Sequence, residues 1–271
     1  MSHSIAFIGG GQMASAIMGG LLAQGMQAQH LVVAEPVEAA REQLRARFGV
    51  HAHPAAGAFL QECPLVVWAV KPQTFRDAAL ATHAHTRDAL HLSVAAGIRS
   101  DTLAQWLHSE RIVRSMPNTP ALIGQGISGL FARTAVSQDD KDRINTLMAS
   151  TGASIWLDDE AHLDAVTALS GSGPAYVFFF LEAMRDAGQA MGLNAQQAYQ
   201  LAVATFSGAS ALAAASHVGP EILRERVTSK GGTTYAALTA MEASGIKPAF
   251  VAAMQAAQAR AREMGEEFGA G

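Results

Sequence analysis

Cysteine is almost missing from this chain: Cys63 is the single one in 271 residues. One thiol cannot close an intrachain disulfide or build a cysteine zinc cluster, and such sparing use fits a reducing compartment. Charge is scarce too, at 15% of residues with a net charge of −4. Without a positive excess the chain does not read as a nucleic-acid binder, because phosphate backbones call for a basic surface. Long hydrophobic runs are absent. The longest candidate, residues 175–181, is interrupted by Glu182, well short of the roughly 18 apolar residues a membrane span needs. The start, Met1-Ser2-His3-Ser4, has no basic flank and is not read as a signal peptide. Histidines occur as His51 with His53 and His83 with His85, but neither pair has a third ligand at a defined spacing, so no metal site is expected. These absences leave a cytoplasmic protein that binds neither membrane nor nucleic acid.

What is present is a core. Apolar residues reach 49%, and the length suits about two domains. The first half alternates short apolar runs with helical patterns, as βαβ units do. Strands are expected at 5–8, 31–34, 65–70, 90–94, 111–115, 129–133 and 153–156, with helices at 12–24, 38–47 and 137–149 and room for others between. After about Asp158 strand-like runs stop and Ala-rich helical segments take over. Gly188, Gly192, Gly219, the Gly231-Gly232 pair and Gly245 are the expected breaks. The fold class is therefore α/β: a Rossmann dinucleotide-binding domain over residues 1–157, then an all-helical domain over 158–271. The second part has more apolar surface than a small helical layer hides alone, which favours a dimer packed across a two-fold axis.

Gly9-Gly10-Gly11-Gln12-Met13-Ala14 follows the first strand and opens the first helix. This is G-x-G-x-x-A, the dinucleotide fingerprint. Gly9 permits the tight turn, Gly11 lets a pyrophosphate approach the backbone, and Ala14 is small enough for helix and strand to touch. The helix start adds free N–H groups and a positive dipole end. Glu35, at the end of the second strand, is either an acid on the ribose 2′-hydroxyl, favouring NAD, or an exposed strand-end charge before Pro36. Arg41, Arg45 and Arg47 can still meet a 2′-phosphate, so the cofactor choice stays open.

Further candidates lie where strands end. Ala69-Val70-Lys71-Pro72 follows the third long apolar run, where Lys71 is either a surface charge or a cofactor contact. Ala95-Ala96-Gly97 is small enough for a nicotinamide ring to approach, or for ordinary tight packing. Residues 114–120 read as a rigid proline loop. In 170–174, Ser172 caps the following helix with Pro174 in its first turn. The most unusual stretch is Thr228-Ser229-Lys230-Gly231-Gly232-Thr233-Thr234. Hydroxyls, a double glycine and a helix start near Thr234 suit a small carboxylate.

With those residues in hand, the sequence resembles the pyrroline-5-carboxylate reductase family over essentially its whole length. The likeness rests on residues 8–14, 69–73 and 118–120, and most specifically on 164–176 and 220–242. It implies an NAD(P)H-dependent reduction of the cyclic imine 1-pyrroline-5-carboxylate to L-proline, the last step of proline biosynthesis, with NADP(H) or NAD(H) as cofactor. It implies an interlocked homodimer, or a ring of dimers up to a decamer. By position, Ser229, Gly231, Gly232, Thr233 and Thr234 would hold the substrate carboxylate, and Thr234 would bond the ring nitrogen as the catalytic residue. Gly9, Gly11, Gln12, Met13, Ala14, Glu35, Ala69, Val70, Lys71, Pro72, Ala95, Ala96, Gly97 and Asn118 would line the cofactor. Two departures stand out: Ala56 where relatives carry an asparagine on the adenosine ribose, and Lys230 where many have proline. Rival readings are a 3-hydroxyacid dehydrogenase-like enzyme and a dinucleotide sensor without catalysis. Val177 stands where the former carries its lysine, and the intact 231–234 loop speaks against the latter.

Overall fold

In the computed structural model, which describes residues 4–269, eight strands form one sheet in the order β3-β2-β1-β4-β5-β6-β7-β8. They are β1 (Ile5–Ile8), β2 (Leu31–Ala34), β3 (Ala52–His53), β4 (Leu65–Trp68), β5 (Leu90–Ser93), β6 (Ile112–Met116), β7 (Gly126–Ala132) and β8 (Gly152–Trp156). Met1 to His3, read above for the lack of a basic flank, lie outside the described residues. Neighbouring strands pair in parallel except β6 with β7, so the last two strands run against the rest.

Side-chain alternation explains why the apolar runs lack gaps. Along β1, Ile5 and Phe7 face one core, while Ala6 and Ile8 face the other. The first core takes Ile17, Met18 and Leu21 of helix α1 (Gln12–Ala23), Leu44 of α2 (Glu38–Phe48), and Ile144 and Leu147 of α5 (Gln138–Met148). The second takes Phe75 and Ala79 of α3 (Pro72–Thr86) with Leu103 and Leu107 of α4 (Ser100–Leu107). Helices cover both faces, as a doubly wound sheet requires.

Of the two overlapping readings, strand over 111–115 and loop over 114–120, the structure bears out the strand for Arg114 and Ser115 and extends it to Met116. Arg114, Ser115 and Met116 are not loop but the end of β6, an internal strand, and Thr119–Ile123 is a short 3-10 helix. Burial of Arg114 inside the sheet is made tolerable by Glu160. Arg114 Nη1 donates to Glu160 Oε1 at 2.6 Å, and Glu160 also accepts from the Ser100 backbone N–H at 2.6 Å and the Ser100 hydroxyl at 2.7 Å. The carboxylate thereby caps the start of α4 as well as neutralising the guanidinium. Burial pushes the Arg114 pKa down and Glu160 opposes that shift. One residue before α4, Arg99 binds Asp164 at 2.9 Å.

These two acids fasten α6 (His162–Val166) to the sheet domain. Among the described residues, one compact unit comprises 4–173 and 257–269, and a second comprises 174–256. Beyond α6, Thr167–Gly171 forms a π-helical turn in which Ser172 N–H donates to the Thr167 carbonyl at 2.8 Å. Ser172 has helical backbone angles, so it does not cap a new helix as expected; the chain stays helical into α7 (Gly173–Ala190).

The second unit is helical: most of α7, then α8 (Ala195–Ala214), α9 (Pro220–Arg226), α10 (Thr233–Ala243) and the first half of α11 (Ile246–Gly269). Gly188 is not a break but lies inside α7, where a Cβ would come within 2.6 Å of the Ala198 Cβ. Gly188 therefore lets α7 and α8 touch. Tyr176 and Phe180 of α7 pack edge-on against Phe250 of α11. Much apolar surface is uncovered, including Phe179 at 67% and Leu212 at 60% exposure, and α10 buries no residue.

Two outcomes follow from the buried polar groups. His91 on β5 accepts from Trp68 Nε1 at 3.0 Å, and burial pushes its pKa from 6.5 to about 4. The unfolded chain therefore binds the extra proton between pH 6.5 and about 4, so stability falls as pH falls through that window, by up to about 3 kcal/mol. His91→Gln, which keeps an acceptor for Trp68 and cannot titrate, is expected to flatten that part of a denaturation-versus-pH profile. Glu160→Ala strands the Arg114 charge and is expected to cost about 3–5 kcal/mol in denaturant unfolding. A loss below about 1 kcal/mol would show that water reaches Arg114 freely.

Candidate active site

The glycine loop sits where the chain leaves β1 between β2 and β4. Strand connections depart to opposite sides there, and this opens the crevice in which doubly wound sheets bind ligands. Gly9 has φ +92°, and a Cβ on it would stand 2.8 Å from the Ala69 carbonyl oxygen. Only glycine fits that approach. Gly11 differs: its φ is −67°, and a Cβ there would meet no atom within 4 Å. What it leaves open is the space in front of α1, whose start has neither a capping side chain nor an acid in its first turn. Gln12 and Met13 flank that start, while Ala14 is fully buried against the core. Open space, uncapped N–H groups and a positive helix end fit a dinucleotide pyrophosphate.

Across the crevice, Ala69 and Val70 continue from β4, Lys71 precedes α3 with its side chain exposed, and Pro72 is the first residue of that helix. Ala95, Ala96 and Gly97 follow β5. A Cβ at Gly97 would come within 3.0 Å of the Met264 Cβ and 3.3 Å of Phe268, so tight packing under the end of α11 already accounts for this glycine. Asn118 Oδ1 accepts from the Ile127 backbone N–H at 3.0 Å, which leaves its NH2 group to donate elsewhere.

Glu35 is not the exposed charge considered above; it is 8% exposed. Its Oε2 accepts from the Gly10 N–H and its Oε1 from the Val37 N–H, both at 2.8 Å. The acid thus ties the glycine loop to the end of β2. Arg41, in the first turns of α2, donates through Nη1 to the carbonyls of Glu35 and Pro36 at 2.9 and 2.7 Å. Arg47 lies at the far end of α2, with its guanidinium over the Phe48 ring.

The second candidate element is the loop before α10. Thr228 Oγ1 donates to the Arg224 carbonyl, and Gly231 turns with φ +75°. Gly232 stands at the N-cap position of α10 with no side chain to cap it, and a Cβ on it would strike Ser229 Oγ at 2.7 Å. Thr233 and Thr234 are the first two residues of the helix. Among the described residues neither hydroxyl has a hydrogen-bond partner, and no acid sits in the first turn of α10. Free N–H groups, two hydroxyls and a helix dipole are the features that suit a small carboxylate.

Residues 160–264 match the family described as pyrroline-5-carboxylate reductase dimerisation, and residues 4–97 match the family described as NADP oxidoreductase, coenzyme F420-dependent. The pyrroline-5-carboxylate reductase of Pseudomonas aeruginosa is 41% identical over 98% of both chains. This chain belongs to the pyrroline-5-carboxylate reductase family. The solved structure of a pyrroline-5-carboxylate reductase from Coxiella burnetii superposes with TM-score 0.91 at 33% identity, covering 97% of this chain and 99% of that one. That of the Plasmodium falciparum pyrroline carboxylate reductase, with NADP bound, gives TM-score 0.87 at 27% identity over 97% and 98%.

A pyrroline-5-carboxylate reductase with a dimerisation region has a ready reason for its exposed apolar helices: it forms a homo-oligomer. Among the described residues no helix is long and apolar enough to cross a membrane. Within this reductase, Ala56 is half-buried against the second core, and Lys230 is exposed in the loop before α10. Sequence reasoning missed the Glu35 latch and the Glu160–Arg114 pair. The partners stand 25 and 46 residues apart, and no local pattern announces them.

Two glycines separate folding from binding. Gly9→Ala is expected to cost about 2 kcal/mol or more in stability, through strain and the clash with Ala69. Gly11→Val is expected to leave thermal unfolding nearly unchanged and to abolish nucleotide-induced fluorescence changes. Equal effects of the two variants on stability would refute the distinction.

Proposed function

We propose that the protein reduces 1-pyrroline-5-carboxylate to L-proline, the last step of proline biosynthesis, using NADPH in preference to NADH. The observation that carries this reading is the loop before α10, where two unpartnered threonine hydroxyls and an uncapped helix start await an anion. Membership of the family and its NADP-bound Plasmodium relative support the choice of substrate and cofactor. Gly9, Gly11, Gln12, Met13 and Ala14 form the pyrophosphate cradle, and Ala69 to Pro72, Ala95 to Gly97 and Asn118 serve the rest of the dinucleotide. When bound, the reduced nicotinamide supplies a hydride.

The substrate needs little activation. A protonated imine carbon is already electrophilic, so alignment matters more than acid–base power. Ser229, Gly231, Gly232 and Thr233 hold the ring carboxylate, and the Thr234 hydroxyl accepts a hydrogen bond from the iminium N–H. The imine carbon gains the hydride and the nitrogen keeps its proton, giving the secondary amine. The functional division of labour falls near 157/158, with nucleotide binding before it and substrate binding and dimerisation after it. The dimers assemble further into rings, up to a decamer, and the protein works in the cytoplasm, where its free Cys63 stays reduced.

The direct test follows reduced-nicotinamide absorbance with purified protein, 1-pyrroline-5-carboxylate, and NADPH or NADH in parallel. Substrate-dependent oxidation is the expected result; none, from folded protein that still binds nucleotide, would overturn the assignment. Thr234→Ala is expected to lower kcat about ten- to a hundredfold, the worth of one hydrogen bond to a charged group, with nucleotide affinity unchanged. Wild-type turnover in that variant would remove Thr234 from the mechanism.

A further inference from the structure

An acid at the end of the second strand ordinarily reads the ribose hydroxyls and disfavours a 2′-phosphate. Here the geometry gives that acid other work. Each Glu35 oxygen already accepts a backbone N–H at 2.8 Å, from Gly10 on one side and Val37 on the other, and the residue is 8% exposed. Its charge is spread into two amide dipoles of the loops that flank the crevice. The cation beside it is placed differently. Arg41 is anchored through Nη1 alone, on the carbonyls of Glu35 and Pro36, which brings the guanidinium to the carboxyl end of β2. Among the described residues it forms no ion pair, and its Nε and Nη2 make no hydrogen bond to protein. The start of α2 adds a positive dipole end at the same place, offset in part by Glu38 in its first turn, which leaves Arg41 as the principal attraction for an anion there. Arg45 sits a turn further along and Arg47 turns onto Phe48, so Arg41 is the one of the three arginines that is held at the strand end.

We infer that Arg41 is the residue that selects NADPH, by pairing its free guanidinium edge with the adenosine 2′-phosphate, and that Glu35 is a positioning residue that latches the glycine loop for either nucleotide. A planar guanidinium with two donors on one edge suits a phosphate dianion, and a carbonyl-anchored arm orders it in advance. The inference rests on the dinucleotide-site reading above and adds to it the residue that distinguishes the two cofactors.

Equilibrium titration of intrinsic fluorescence with NADPH and NADH, and with 2′,5′-ADP against ADP, separates the possibilities without turnover. Arg41→Gln is expected to weaken NADPH and 2′,5′-ADP about tenfold or more while leaving NADH and ADP nearly unchanged. Glu35→Gln is expected to weaken both nucleotides alike, because the loop loses one of its two amide contacts. An unchanged NADPH-to-NADH affinity ratio in Arg41→Gln overturns the role of Arg41, as does a wild-type protein that binds NADH the more tightly. Selective loss of NADH in Glu35→Gln overturns the latch. Wild-type protein that binds none of the four ligands refutes the nucleotide site itself, and the inference with it.

Discussion

The approach of Gly9 to the Ala69 carbonyl is the constraint on which the nucleotide crevice depends. It allows β1 and β4 to run side by side to their carboxyl ends before their connections part. If that distance grew by the width of a methyl group, the glycine loop would lift and the start of α1 would no longer face the crevice. The loop is held from the other side by Glu35, whose bond to Gly10 fixes the middle glycine while Gly11 remains unobstructed. Tightness at one glycine and emptiness at another are thus parts of a single arrangement.

A second set of contacts decides where the sheet domain ends. Chain after β8 would be free to leave with the helical region, yet Glu160 and Asp164 bring it back onto Arg114 and Arg99. Buried charge pairs add little net stability compared with apolar packing, but leaving one partner alone is costly. Such a pair therefore disfavours every alternative placement of the segment. The π turn begins directly after this anchored stretch, and its Gly171 lies so close to Met116 that a Cβ would stand 2.5 Å from the methionine methyl. The stretch from Glu160 to Gly171 is thus pinned by charge at one end and by close packing at the other.

Legibility in the sequence follows the range of the interaction. Strands β1, β2 and β4 could be read because each carries its apolar character in four consecutive residues, and the glycine fingerprint because its steric needs are local. The loop before α10 was legible for the same reason. Arg114 and Ser115 were read both as strand and as loop, and Met116 as loop alone, because Pro117 and Pro120 suggested a loop, and because an arginine in an internal strand makes sense only with Glu160 opposite it. Two-residue β3 has no apolar run and owes its existence to pairing with Val33 and Ala34. Gly188 looks like punctuation in sequence, but the reason for it is the Ala198 methyl on another helix.

The helical region shows a further dependence that sequence pattern cannot display. Helix α10 has 11 residues, about the length at which an isolated helix is marginal in water, and it buries none of them within its own chain. Tyr235 and Met241 lie about half exposed along it. An anion receptor made of backbone N–H groups works only if the helix end is ordered before the ligand arrives, since ordering it on binding would consume affinity. Helix α10 lies within the region that matches the dimerisation family, where a second copy would supply the cover these side chains lack. The uncovered helix thus links the apolar surface available for association to the order of the loop that precedes it.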